Sequence, residues 1–265
     1  LFLSAVPLAE AQDIEAPLWE LGAMLAVAGV PHYPSSDENR FEAIPLPYFA
    51  YRGRTFRSDE NGLLRGRLLI SDRAELDISL AGALATNSSD IQSRSGMPDL
   101  DWMVEIGPRL EVTLAQAVRH ARIDFELPLR TILSTDFSGI DHVGLISVPE
   151  IAYQHENLHG AQVKFGLGIT FADQRYQDLL YGVPERYATV ARPTYRAQGG
   201  YFGSRLQFSF RRRINPTMQI ISAARINFYA GAVNEDSPLF RRQTTASVGL
   251  VLVWTMLRSV ATAIE

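Results

Sequence analysis

A chain of 265 residues, 46% hydrophobic and 20% charged, with a net charge of -4 and a mean hydropathy of -0.02, is long enough for one large β domain. That balance excludes an intrinsically disordered polymer and offers no basic surface for nucleic acid. No apolar run reaches the roughly 18 residues that a membrane-spanning helix needs, and the longest interior one is 248–254, so any passage through a bilayer must be made by strands.

In chain order, residues 1–11 read LFLSAVPLAEA, an apolar stretch closing on Ala9-Glu10-Ala11. This small-x-small ending has the form of a signal-peptidase site, and the mature chain is expected to begin near Gln12 as one barrel domain over 12–265. Strands are expected at 18–27 and 44–51, near Thr55, and at 63–70. From 74 to 84 the alternation is strict, with Leu76, Ile78, Leu80 and Leu84 against Glu75, Asp77 and Ser79. A strand sends successive side chains to opposite faces, and a membrane barrel needs one face for lipid and one for its lumen.

The same split recurs downstream. Over 104–114, Val104, Ile106, Leu110, Val112 and Leu114 oppose Glu105, Arg109, Glu111 and Thr113. Ile123, Phe125, Leu127 and Leu129 oppose Arg122, Asp124, Glu126 and Arg130. Val163, Phe165, Leu167, Ile169 and Phe171 oppose Lys164, Gly166, Gly168 and Thr170, and Leu206, Phe208 and Phe210 oppose Gln207, Ser209 and Arg211. Weaker segments at 143–153, 218–229 and 246–254 bring the count to about twelve, for an all-β transmembrane antiparallel barrel. Long polar stretches at 31–40, 87–101, 173–193 and 233–242 are expected as extracellular loops and the short connections as periplasmic turns. Pro108, Pro128 and Pro149 fall inside these strands and need bulges or strand margins, because each lacks a ladder N–H.

A soluble β-sandwich also alternates. Two features favour the barrel. Charges of both signs recur on the polar face, where neighbouring strands lie roughly 5 Å apart. Aromatic residues such as Trp19, Tyr48, Tyr51, Trp102, Tyr153, Phe171 and Trp254 fall near segment ends, as in an interfacial girdle. The candidate lumen charges, those above together with Arg225, suit either a structural ion-pair lattice or a narrow solute path. The absence of cysteine fits an exported protein stabilised by a closed hydrogen-bonded sheet.

His155-Glu156-Asn157-Leu158-His159 matches the zinc-protease pattern H-E-x-x-H, which needs a helix to bring both histidines to one face. Here the match falls between two strand patterns, so a solvated polar turn is expected, with no metal or cofactor. The polar run 33–40 reads by default as a solvated surface loop.

Tyr33-Pro34-Ser35-Ser36-Asp37-Glu38, followed by Ile44-Pro45-Leu46-Pro47-Tyr48-Phe49 and Tyr51-Arg52-Gly53, resembles the N-terminal signature of the MltA-interacting protein/OmpV family, which usually has Gly where this chain has Ser35. Tyr181-Gly182-Val183, Gly199-Gly200 and Asp236-Ser237-Pro238 are similar to later blocks of that family. The resemblance implies an outer-membrane protein of a Gram-negative bacterium, embedded in outer-membrane lipid. In some members it implies a non-enzymatic scaffold joining a murein lytic transglycosylase to a penicillin-binding protein. The alternatives are a narrow channel for small polar solutes and, more distantly, a membrane-embedded hydrolase.

Overall fold

The computed structural model describes residues 17–53, 56–58, 65–71, 73–118 and 120–262; the expected signal remnant, 1–11, lies outside them. The chain forms β1 (Trp19–Pro31), β2 (Asn39–Arg52), β3 (Phe56–Ser58), β4 (Arg65–Ile70), β5 (Ala74–Ala83), β6 (Trp102–Val118) and β7 (Ala121–Thr135). It continues through β8 (Asp141–Ser147), β9 (Glu150–Leu158), β10 (Ala161–Ala172), helix α1 (Gln174–Tyr181), β11 (Gly200–Asn215), β12 (Met218–Phe228) and β13 (Thr244–Arg258). All thirteen strands belong to one antiparallel sheet, and β13 pairs with β1, so the ladder returns to its start.

Two of these strands are one stave. Against β7, one register runs from Ala121↔His155 to Ile132↔Gly144 across both strands, and within it the pairing lapses at Val148-Pro149. Pro149 has no N–H to give, which interrupts the strand expected over 143–153 and leaves twelve staves around the ring among the described residues. Pro108 acts similarly, because the pairing of β6 with β7 skips 107 and 108. At Gly107 a Cβ would sit 2.0 Å from the Leu129 carbonyl oxygen, so only glycine lets the two backbones approach here. Pro45 and Pro47 lie in β2 beyond its short pairing with β3. Arg52 N–H donates to Leu18 O across β1 (2.8 Å), and the unbroken register puts the missing N–H of both prolines on the opposite edge.

The strand ends flanking the short connections, Ile70 and Ala74, Val118 and Ala121, Leu158 and Ala161, and Asn215 and Met218, lie at one end of the barrel, and the long connections at 32–38, 84–101, 173–199 and 229–243 at the other. The third long loop holds α1, which the polar composition did not announce. Asp173 caps it by accepting from Tyr176 N (3.0 Å), and it lies against Gly144, where a Cβ would come within 2.7 Å of Tyr176 Cβ.

Burial separates barrel from sandwich. The apolar parity is on the outside: Leu129, Ile151, Phe165 and Leu167 are 52 to 57% exposed. The polar parity is inside: Asp77, Arg109, Asp124, Glu150 and Lys164 are at most 2% exposed. A sandwich buries its apolar face; this sheet buries its charges and offers its aliphatic face to the surroundings, as a lipid-embedded barrel must. The 12 residues of β10, at roughly 3.3 Å each and a tilt near 40°, rise about 30 Å, enough for the apolar band. Trp102 and Phe171 face outward near the loop end and Trp254 near the turn end. Tyr48 does not join this girdle. It turns inward, 6% exposed, and its hydroxyl donates to Glu20 (3.4 Å).

Candidate functional site

Inside the lower part of the barrel, charges on adjacent and next-adjacent staves pair in an alternating chain. Asp77 on β5 accepts from two guanidinium nitrogens of Arg109 on β6. Arg109 Nη1 approaches Glu126 on β7 (3.7 Å), Glu126 accepts from Lys164 on β10, and Lys164 approaches Glu150 on β9 (3.6 Å). Glu150 accepts from Arg205 on β11 (2.9 Å). Six alternating charges thus cross six staves. A side branch joins Arg122 to Glu111 (2.9 Å) and Asp124 (2.7 Å), with Thr113 and Gln154 also donating to Asp124. Arg130 bridges Ser79 (2.9 Å) and Glu105 (3.4 Å). Glycines on β10 make room for this: a Cβ on Gly166 would lie 2.4 Å from a Glu150 carboxylate oxygen. Such burial is tolerable because every charge has an opposite partner in hydrogen-bond geometry.

Of the remaining charges expected in the lumen, Glu75 is half-buried near the turn end, Arg211 is buried on β11, and Arg225 is half-buried on β12, where it approaches Gln207 (3.5 Å). Sequence reasoning missed Glu150 and Arg205, which complete the main chain of charges, and the Glu20–Arg52 pair (2.9 Å) on β1 and β2. Arg205 shares the parity of Gln207, Ser209 and Arg211 and could have been found from it. Glu150 follows the stave-breaking proline, where alternation could not be carried through. Glu20 sits among small and apolar neighbours.

The loop end is closed by a second constellation. The run 33–38 is no solvated loop: Tyr33, Ser35 and Ser36 are at most 2% exposed and Pro34 is buried. Its polar groups are used on other loops. Tyr33 hydroxyl donates to Leu239 O (2.6 Å) and meets Ser93 Oγ (2.9 Å), Pro34 O accepts from Tyr181 hydroxyl (3.1 Å), and Ser35 O accepts from Arg241 and Arg242 N–H (3.2 and 2.8 Å). Glu38 carboxylate accepts from Gln92 N–H (2.9 Å), and Asp37 pairs with Arg241 (3.4 Å) at the exposed rim. One segment therefore ties down the other three long loops.

Beneath it Tyr176, Tyr181, Phe202, Tyr229 and Phe240 form a continuous aromatic contact, with centroids 5.8 to 6.2 Å apart. Asn234 and Gln177, both fully buried, satisfy each other and the carbonyls of Ala172, Gln198 and Gly200. Burial pushes the Tyr33 phenol up to about 12 and the Tyr176 and Tyr181 phenols well above their ordinary range. It also lowers Arg94, which lies over the Tyr33 ring and donates to Leu180 O (3.1 Å), to about 10.

A buried-charge lumen under a knitted loop cap is the setting in which the sequence comparison acquires meaning. The family model for MltA-interacting protein MipA matches residues 22–256. The chain belongs to that family. No curated protein sequence matches it. Among solved structures it is similar to an outer membrane channel from Pseudomonas putida F1, with a TM-score of 0.50 at 10% identity, covering 94% of this chain and 100% of that one. It is also similar to the NanC porin, with a TM-score of 0.41 at 6% identity, covering 89% and 100%. At such identities the likeness concerns the fold. The MipA-family chain is an outer-membrane β-barrel protein of a Gram-negative cell.

In this MipA-family barrel the first block of the resemblance lies in the cap, with Tyr33, Pro34 and Ser36 at its hub, Asp37 and Glu38 at its rim, and Tyr181 and Ser237 of later blocks against them (Ser237 Oγ to Tyr181 O, 2.7 Å), whereas 44–49 and 51–52 lie along β2. The H-E-x-x-H match does not lie wholly in a turn. His155, Glu156 and Leu158 belong to β9, and His159 (φ 54°) with Gly160 (φ 79°) makes the tight hairpin to β10. His155 Nδ1 accepts from Asn157 N–H (3.2 Å), a strand-end contact that a protease helix would not make. Among the described residues no three His, Cys, Asp or Glu side chains converge as a metal-binding set.

Proposed function

We propose that this barrel is a non-enzymatic, non-conducting outer-membrane scaffold for envelope maintenance, with a murein lytic transglycosylase as its partner and a penicillin-binding protein as a second. The observation that carries the non-conducting part is the double closure of the lumen. The alternating charges from Asp77 to Arg205 pair across six staves inside it, and the 33–38 segment pins the loops above them. A twelve-stave ring lies between barrels filled by side chains and barrels that leave a channel, and the long charged side chains that reach into this lumen support the filled reading. The partner comes from the family, whose name states an MltA interaction.

Reconstitution into planar bilayers is expected to give no discrete conductance steps, and immobilised barrel is expected to retain purified lytic transglycosylase from the same envelope. The narrow channel is the second reading, favoured by a cavity of about 100 Å³ that persists between lattice and cap. Reproducible ion-selective steps would establish that reading and remove the first.

A further inference from the structure

The two ends of the barrel carry opposite exposed charge. On the long loops Asp90, Asp99, Asp136, Asp141, Glu185 and Asp236 are exposed, and several arginines there are engaged within the cap. Arg94 donates to Leu180 O, Arg192 to Tyr187 O and Ser93 O, and Arg241 pairs with Asp37. At the turn end the balance is reversed. Arg73, His120, His159, Arg212 and Arg258 are exposed, while Glu75, Glu111 and Glu156 on the same strand ends are partly buried. Among the described residues no exposed carboxylate lies at this end.

The three arginines stand apart from the lattice. Arg109, Arg122, Arg130 and Arg205 each reach a carboxylate, whereas Arg73, Arg212 and Arg258 form no ion pair among the described residues. Backbone contacts place the five cations on one arc. Arg73 O accepts from Thr113 N–H on β6 (2.8 Å), and His120 O accepts from Glu156 N–H on β9 (2.8 Å). The hairpin of His159 leads into Ala161, which pairs with Arg212. Beyond β11, Thr217 O accepts from Thr255 N–H on β13 (2.8 Å), three residues before Arg258. The positive rim therefore runs from β5 round to β13.

The short turns of an outer-membrane barrel face the periplasm. Cations spread along a rim, and not gathered round a pocket, are complementary to a flat, extended polyanion. We propose that the turn end is a docking surface for murein itself, the glycopeptide mesh whose peptide stems carry free carboxylates and which lies flat beneath the outer membrane. Arg73, Arg212 and Arg258 meet those carboxylates, because a guanidinium fork matches a carboxylate geometrically. Each exposed pair is weak, so retention comes from several contacts held at once and falls with salt. This goes beyond the scaffold reading, since it needs no protein partner.

The test is co-sedimentation of the detergent-folded barrel with sacculi stripped of protein. Saturable binding is expected at about 50 mM salt and at least tenfold weaker binding at about 500 mM, where screening shortens the reach of exposed charge. Arg73→Glu combined with Arg212→Glu and Arg258→Glu should weaken binding at least tenfold at the lower salt. Arg175→Glu, Arg186→Glu and Arg196→Glu together make the same change of net charge at exposed positions on the loop end, and should leave binding within twofold. Amidating the sacculus carboxylates should abolish binding by the parent. That arm needs no variant and decides the matter if the turn-end variant does not fold, which heat-modifiable gel mobility reports. No sedimentation of the parent, equal sedimentation with amidated sacculi, or equal loss in both triple variants overturns the surface. So does a turn-end variant that binds sacculi like the parent but no longer inserts into phosphatidylglycerol vesicles, because its cations would then serve lipid headgroups. Stripped sacculi carry no transglycosylase, so failure here leaves the scaffold reading standing and the converse also holds.

Discussion

Ser35 has φ 64° and none of its surface exposed, a left-handed conformation that costs an L residue roughly 1–2 kcal/mol. It is held there because its carbonyl must accept two N–H groups from the 229–243 loop. Ser35→Gly is therefore expected to stabilise the barrel, by up to about 1 kcal/mol once glycine's own backbone entropy is deducted, seen as a higher unfolding temperature. Ser35→Val should destabilise and expose the loops to protease; equal protease resistance of both variants would show that the clamp is not what holds them. The Asp77–Arg109 pair makes a similar case for charge. Arg109→Met strands Asp77 inside the barrel, leaves Glu126 with Lys164 alone, and should cost about 3–5 kcal/mol in urea unfolding, whereas Asp77→Asn combined with Arg109→Gln should cost clearly less. A single-variant loss under about 1 kcal/mol would mean that water already screens the lattice.

At the scale of elements, the cap should respond to alkali through its phenols. Tyr33, Tyr176, Tyr181 and Tyr229 all have folded-state values raised by burial, so the stability they contribute is complete below the unfolded value near 10 and is lost as pH climbs through the folded one, about 12 for Tyr33. Arg94, lowered to about 10 by the same burial, works in the opposite sense, one guanidinium against four phenols. Absorbance at 295 nm should show a set of tyrosines ionising only above about pH 11, together with the onset of loop proteolysis; smooth ionisation of all tyrosines near pH 10 would contradict the closed cap. These elements also mark where the sequence is readable. Strand positions and faces in β5, β6, β7 and β10 follow from period two alone, since each has a charged, polar or small residue at nearly every second position. The interruption between β8 and β9 was legible only as a problem, a proline in a strand, because its solution depends on a neighbour's register. The cap was not legible at all from composition. Tyr33 and Leu239 lie 206 residues apart, and a polar run looks the same whether its hydrogen bonds go to water or to another loop.

For the whole molecule the decisive property is that the burial pattern is reversed relative to a water-soluble sheet, and this can be tested with one substitution at two depths. Leu167 and Leu114 are 57% and 56% exposed, both on the outward parity of their strands. Leu167 lies in the middle of β10, opposite Leu206 and Ile151, while Leu114 lies close to the 119–120 turn, beyond the last pairing of β6 with β5. In water the two sites are equivalent, and arginine at either would be tolerated. In a bilayer they are not. A guanidinium costs about 2–4 kcal/mol at the midplane and about 0–1 kcal/mol near the interface, where it reaches headgroups. Leu167→Arg should therefore sharply reduce the fraction of protein that folds into vesicles and shows heat-modifiable mobility, while Leu114→Arg should fold almost as the parent does. The difference should narrow in short-chain detergent micelles, whose apolar region is thin and deformable, because what separates the two positions is distance from water and not anything either leucine touches. Equal folding of both variants in vesicles would mean that the exposed aliphatic face meets something other than lipid.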